Sequence, residues 1–288
     1  MNVKVKTARL SIFSNLFLIV LKMIVGILTG SVSMMSEAIH SGIDLLASIV
    51  AFFSVKIASK PPDEDHPYGH GKYENVSGVL EALLIFVAAL WIIYEAVDRL
   101  LHKADVRNIH YGIIVMLISM VVNFIVSRKL YSVAKEYDSI ALEADALHLK
   151  TDVYTSLGVA IGFVLLYFTG HIWIDSVIAI LVAILIMYES FQLLNTAFSP
   201  LVDAQLPEKD IERINSIINN SLGQNSAVMY NRIRTRKSGH QKYLDFILSV
   251  PNETSVKEAH DLCDEIEDEI KAEFKDIDIN IHVEPSDK

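Results

Sequence analysis

Two copies of one pattern stand in apolar sequence: Glu37-Ala38-Ile39-His40-x-x-x-Asp44-x-x-x-Ser48 and Asp145-Ala146-Leu147-His148-x-x-x-Asp152-x-x-x-Ser156. In each copy a His and an Asp are four residues apart. On a helix that is about one turn, so both side chains leave the same face. Two such faces turned toward each other present His40, Asp44, His148 and Asp152 to one ion. Two imidazoles and two carboxylates form a tetrahedral donor set of the kind Zn2+ accepts. Ca2+ and Mg2+ prefer all-oxygen sets, and Cu(I) wants sulfur, which the surrounding apolar segments do not supply as cysteine. Zinc needs neutral imidazole and ionised carboxylate, so protons and metal compete for one set of lone pairs. Ionisable residues at membrane depth are costly and by default mark an ion path. A proton reaching these residues can therefore displace the metal, which is the chemical core of an antiport cycle.

Two further clusters have ligand chemistry. Asp63, His66 and His70 fall in the run Pro62-Asp63-Glu64-Asp65-His66-Pro67-Tyr68-Gly69-His70-Gly71-Lys72. Their spacing suits folding around one metal, and the same Pro/Asp/Gly richness suits an ordinary connector. Near the C-terminus, His282 and Glu284 alternate along an apolar strand, His260 lies in an amphipathic helix, and Asp245 on a neighbouring strand can join them. Each of these alone is more often a surface residue.

The elements that position these residues are of two kinds. The chain has 288 residues, 52% of them hydrophobic, with a mean hydropathy of +0.37. The apolar residues concentrate between Leu10 and Phe198, in six blocks long enough to cross a bilayer as helices: 10–29, 33–57, 77–98, 111–131, 142–168 and 173–197. Thr29-Gly30-Ser31 and Thr169-Gly170-His171 read as tight turns between them. Lys4, Lys6, Arg9, Lys56, Lys60, Lys72, Arg128, Lys129 and Lys135 fall on one side; Arg99, Lys103 and Arg107 fall on the other. The bias places both termini in the cytosol. The first block is a span rather than a cleavable leader, since no small-residue cleavage site follows it. Lys22, inside the first block, reads as snorkelling to an interface. The fourth and sixth blocks are almost uniformly apolar, with Asn123 and Asp175 among their few interruptions.

Beyond Pro200 the composition is that of a water-soluble domain. The boundary is placed at 203/204, giving a membrane domain of residues 1–203 and a cytosolic domain of residues 204–288. From Asp203 onward there are 18 acidic and 11 basic residues, so −7 of the net −10 lies here. That sign excludes nucleic acid as a partner. A single cysteine, Cys263, excludes an intrachain disulfide and reads as a helix filler. Pro207 suits the start of a helix with the stripe Ile211, Ile214 and Ile218. Residues 228–236 and 242–250 read as strands joined by the turn Lys237-Ser238-Gly239-His240. Ser255 with Glu258 is a capping box opening a second helix, and Ile277 to Val283 is a last strand. The order αββαβ is that of a small α+β sandwich.

Taken together, the paired His–Asp motifs, the HPYGHGKYE run after the second block and the αββαβ tail resemble the cation diffusion facilitators, a family of zinc and related divalent-metal/proton antiporters. The resemblance covers nearly the whole chain. It implies six transmembrane helices followed by a ferredoxin-like cytosolic domain, and a homodimer in the plasma (inner) membrane whose cytosolic domains pair through bound metal. It implies His40, Asp44, His148 and Asp152 as the transport site, Asp63, His66 and His70 as a loop site, and Lys72 with Asp203 as a charge interlock. His at both helix positions is similar to zinc-preferring members, with Zn2+ as substrate and regulatory ligand; cobalt, cadmium, iron, nickel and manganese stay open. In the tail, His260, His282 and Glu284 match ligand positions, Asn231 and Ile247 stand where His is expected, and Asp245 is a substitute donor.

The competing reading is an enzyme. Glu37-x-x-His40 and Asp145-x-x-His148 approach the Glu-x-x-His elements of di-metal carboxylate bundles. Glu81 is the further carboxylate inside the third block that could join such a site, and no HExxH is present. A metal sensor is the other alternative, and it has no use for a paired site at membrane depth.

Overall fold

The computed structural model describes residues 3–29, 32–101, 109–169, 173–223 and 228–286. The two Gly-bearing turns, most of the loop with Lys103 and Arg107, and the side chain of His40 lie outside the described residues. The chain divides into two compact units, Met1–Phe198 and Ser199–Lys288. The junction falls a few residues before the expected one.

Six long helices make the first unit: α1 (Val3–Thr29), α2 (Val32–Ala58), α3 (Lys72–Leu101), α4 (Ile109–Glu136), α5 (Ile140–Thr169) and α6 (Trp173–Phe198). Each has 26 to 30 residues, about 40 Å of helix at ~1.5 Å per residue. Among the described residues, four of them carry stretches long and apolar enough to cross a membrane: Val3–Val25, Lys72–Asp98, Ile114–Glu136 and Ala179–Val202. The expectation of six such blocks is met by six helices, but α2 and α5 fall outside this set. They carry the ionisable repeat, and many of their side chains lie outside the described residues.

Side-chain polarity is inverted relative to a water-soluble bundle. Phe13, Phe17, Val87, Trp91, Ile125 and Leu181 are exposed, whereas Ser11, Asn15, Ser77, Glu81, Ser119 and Asn123 are buried. Apolar faces outward and polar faces inward suit a bundle surrounded by lipid. The helix α5 is the hub. One side packs Ala141, Leu142, Ala146 and Leu149 against α1, α2 and α4 through Ala8, Val55, Val126 and Leu130. The other side places Ala144 with Ala82, Ile85 and Ala89 of α3 and with Ile186 and Leu193 of α6.

Without a strong hydrophobic drive between helices in lipid, small residues and hydrogen bonds hold such bundles. A Cβ on Gly78 of α3 would come 2.5 Å from Ile140 Cγ2 and 3.0 Å from Ala197 Cβ, so this backbone approach requires glycine. Ser127 Oγ donates to the Ala146 carbonyl (2.7 Å) and Ser190 Oγ to the Ala82 carbonyl (2.6 Å). Lys4 Nζ meets Glu74 Oε1 at 2.8 Å with both side chains buried, and Ser139 Oγ donates to the other Glu74 oxygen. The starts of α1, α3 and α5 are thereby pinned together. Lys22 does not snorkel as the sequence predicts. It is 8% exposed, and its ammonium donates to Ser41 Oγ on α2 at 2.7 Å. An inward hydroxyl satisfies a charge that a lipid-facing position would leave bare.

The second unit begins with a 3-10 turn, Ser199–Val202, then runs α7 (Glu208–Leu222), β1 (Met229–Ser238), β2 (Gln241–Val250), α8 (Val256–Glu273) and β3 (Ile277–Pro285). Pro207 is the cap of α7 rather than its first residue. The capping box at Ser255 and Glu258 is formed. The sheet order is β1-β2-β3, with β1 antiparallel to β2 and β3 parallel to it. The hairpin is tight because Gly239 adopts a φ of 61°. The crossover helix α8 makes the parallel pairing possible. Ile214 and Ile218 of α7, Cys263, Ile266 and Ile270 of α8, and Leu244, Phe246 and Leu248 of β2 form one core. Both helices therefore cover one face of the sheet.

Candidate metal centre

In α2 and α5, the repeated pattern puts Asp44, His148 and Asp152 on facing surfaces. One ligand atom from each lies within 4.8 Å of the other two. His148 Nε2 is 3.0 Å from Asp44 Oδ1, with side chains 10% and 6% exposed. Asp152 Oδ2 accepts a hydrogen bond from Asn123 Nδ2 of α4 at 3.2 Å. The backbone of His40 lies one turn before Asp44 on α2, while its side chain lies outside the described residues.

Against this trio lies a layer of hydrogen bonds. Ser11 Oγ of α1 and Ser48 Oγ of α2 both donate to Asp145 Oδ1 of α5, each at 3.0 Å. Asn15 Nδ2 donates to Ser48 Oγ at 2.8 Å. The two copies of the motif thus run antiparallel: Ser48, the last residue of the first, meets Asp145, the first residue of the second. That antiparallel match brings Asp44 opposite His148. Glu81 of α3 is 1% exposed. Neither of its carboxylate oxygens has a hydrogen-bond partner among the described residues.

The loop cluster is also gathered. Asp63 Oδ1 lies 3.3 Å from His66 Nδ1, and Asp63 Oδ2 lies 3.3 Å from His70 Nε2. The two imidazoles are 4.4 Å apart between centroids. Gly69, with a φ of 79°, turns the chain back so that His70 is buried at the start of α3. The His66 backbone N–H donates to Asp63 at 2.8 Å. That bond holds the Asp63 carboxyl below its usual range, with the imidazoles of His70 and His66 adding to it and burial opposing. An acid kept ionised beside two imidazoles is a ready divalent-cation ligand set.

The tail set is not gathered within one chain. His260 stands out from α8, 71% exposed, near Asp264. His282 and Glu284 alternate with the core residues Ile277, Ile279 and Ile281 of β3. They therefore occupy the sheet face opposite the helices, together with Asp245, which pairs in register with Asn280. The sheet separates His260 from the other three, and His260, Asp245, His282 and Glu284 do not form one ligand cluster among the described residues. Lys72 opens α3 in the first unit. Asp203 belongs to the second, where its Oδ1 lies 3.8 Å from Arg236 Nη1.

Sequence reasoning did not assign roles to Ser11, Asn15, Ser48 or Asn123. The signal was available: Ser11 and Asn15 are four apart in an apolar helix, and Asn123 is an isolated amide in another.

Residues 8–202 match the cation efflux transmembrane domain, and residues 206–286 match the cytoplasmic domain of cation efflux proteins. The chain belongs to the cation efflux, or cation diffusion facilitator, family. It is a divalent-cation efflux transporter rather than an enzyme: an integral membrane protein with a cytoplasmic C-terminal dimerisation domain. It is similar to a transporter of Synechocystis sp. (36% identity, covering 90% of this chain and 83% of the relative). It is also similar to the manganese efflux system protein MneP of Bacillus subtilis (31% identity, 97% and 95%). A third relative is the cation-efflux pump FieF of Shewanella oneidensis (30% identity, 96% and 93%).

Proposed function

We propose that this protein exports Zn2+ in exchange for protons, using Asp44, His148 and Asp152 together with His40 as the transport site. The observation that carries the reading is the Asp44–His148–Asp152 cluster, buried where α2 and α5 meet. Imidazole with carboxylates suits zinc better than calcium or magnesium. The relative MneP is a manganese efflux protein, and manganese is the alternative cargo.

Exchange follows from competition for lone pairs. The imidazole and carboxylates that bind the cation also bind protons, so a site loaded with one rejects the other. All six long helices span the plasma membrane in this reading. Both termini are cytosolic. Asp63, His66 and His70 collect the cation on the cytosolic side, and rocking of the site-bearing helices switches exposure. The protein works as a homodimer, with Lys72 and Asp203 as its charge interlock. Zinc at His282, Glu284 and Asp245, joined by His260 of the partner protomer, serves regulation.

Zinc flux into proteoliposomes, measured with an internal zinc indicator and a pH indicator, tests the reading. Zinc uptake with opposite proton movement is expected. Manganese uptake without zinc uptake would replace the cargo, and zinc uptake without proton movement would remove the exchange.

A further inference from the structure

Asn123 lies in a largely apolar stretch of α4, and its surroundings assign it a task. It is 5% exposed. Its Nδ2 donates to Asp152 Oδ2, while its Oδ1 has no hydrogen-bond partner among the described residues. It belongs to a buried polar stripe, Ser119, Asn123 and Ser127, spaced one helical turn apart. Ser127 is used to join helices, because its hydroxyl bonds the Ala146 carbonyl of α5. Asn123 instead bonds a ligand carboxylate. An apolar residue would fill this position in α4 without leaving a buried amide oxygen unsatisfied.

We propose that Asn123 is a specificity-determining residue of the cation site, positioning Asp152 and adding a neutral oxygen donor for cations that take more than four ligands. This rests on the transport-site reading given above. In the cation-free geometry the amide holds Oδ2 and so fixes how the Asp152 carboxylate faces the site. The carboxamide has nearly the same shape after a half-turn about its last torsion, which exchanges Nδ2 and Oδ1. The donor face suits the site without a cation, and the oxygen face suits a bound one. A neutral oxygen adds a ligand without adding charge. Zinc is satisfied by four ligands, whereas manganese favours more, and harder, oxygen donors. Asn123 therefore widens the site toward manganese more than it strengthens zinc.

The test is zinc flux in proteoliposomes of the full-length protein with manganese as competitor, for the parent, Asn123→Leu, Asn123→Asp and Asp152→Ala. Manganese is expected to compete in the parent. In Asn123→Leu the zinc KM should rise about tenfold with little change in kcat, and the manganese inhibition constant should rise by about another tenfold. Asn123→Asp keeps the size and an oxygen, and should shift the ratio toward manganese; it carries the test if Asn123→Leu fails to fold. Asp152→Ala should transport neither metal. The proposal is overturned if manganese does not compete in the parent. It is equally overturned if the manganese-to-zinc ratio is the same in all Asn123 variants while Asp152→Ala is inactive, which leaves the transport site standing. Flux that survives Asp152→Ala removes the site itself and this role with it.

Discussion

Asp44 has two separable jobs in this account, and two substitutions tell them apart. It holds α2 to α5 through His148, and it supplies a charge to the cation. The Asp44–His148 pair is 3.0 Å long and nearly closed to solvent. Removing one member of such a buried pair typically costs ~3–5 kcal/mol, because the other is left uncompensated. Asp44→Ala should therefore lower the melting temperature in detergent without metal by on the order of 10 °C. Asp44→Asn keeps an oxygen that accepts from the imidazole and keeps the side-chain volume. Its cost should be smaller, about 1–3 kcal/mol, because the hydrogen bond survives although the charge is lost. The backbone carbonyl of Asp44, which accepts from Asn15 Nδ2 at 3.5 Å, is unaffected by either change. For transport the two variants should look alike. Both remove the anionic oxygen, and zinc kcat/KM should fall by at least ~100-fold, since even an outer-sphere change costs that much at its upper end. The assay is differential scanning fluorimetry without metal, with zinc flux on the same preparations. Asp44→Asn transporting at the parental rate would refute the ligand assignment. Asp44→Ala melting with the parent would refute the packing role.

Other consequences are as direct. Gly78→Val forces a side chain into the space held by Ile140 and Ala197, and overpacking of this kind costs ~1–3 kcal/mol; a lowered melting temperature in detergent checks it. In α8, hydrogen bonds from Ser255 hold the Glu258 carboxyl below its usual range. A depressed carboxyl contributes stability above its unfolded pKa, and that stability is lost as pH falls through the lower folded value. Amide exchange at residues 256–260 should thus quicken below about pH 4, relative to the rest of the helix, and Ser255→Ala should show the quicker exchange at neutral pH as well. His282→Ala with Glu284→Ala should change how cytosolic zinc stimulates flux; an unchanged zinc dependence would argue against a regulatory role.

The fold was legible where the physics is local. Apolar blocks of sufficient length gave the long helices, and Ser255 with Glu258 gave the start of α8 because a capping box is closed within one turn. The trio Asp44, His148 and Asp152 was legible because a spacing of four on two helices fixes which faces carry the ligands. Their antiparallel match, Ser48 against Asp145, was not, since the repeat alone does not say how two helices are aligned. The inward turn of Lys22 depends on Ser41 lying across the interface, a long-range fact that hydropathy does not carry. The tail misled for a related reason. Strand alternation correctly places His282 and Glu284 on one face, but the side of the sheet on which α8 packs decides whether His260 can join them. Asn123 stood out in sequence as an anomaly, and only its bond to Asp152 gives the anomaly a role.

The most direct test of the central claim is zinc and proton flux in one proteoliposome preparation, comparing the parent with Asp152→Ala. Zinc entry with opposite proton movement, lost in the variant, is the predicted result. Equal zinc flux in both proteins would contradict the assignment of the transport site.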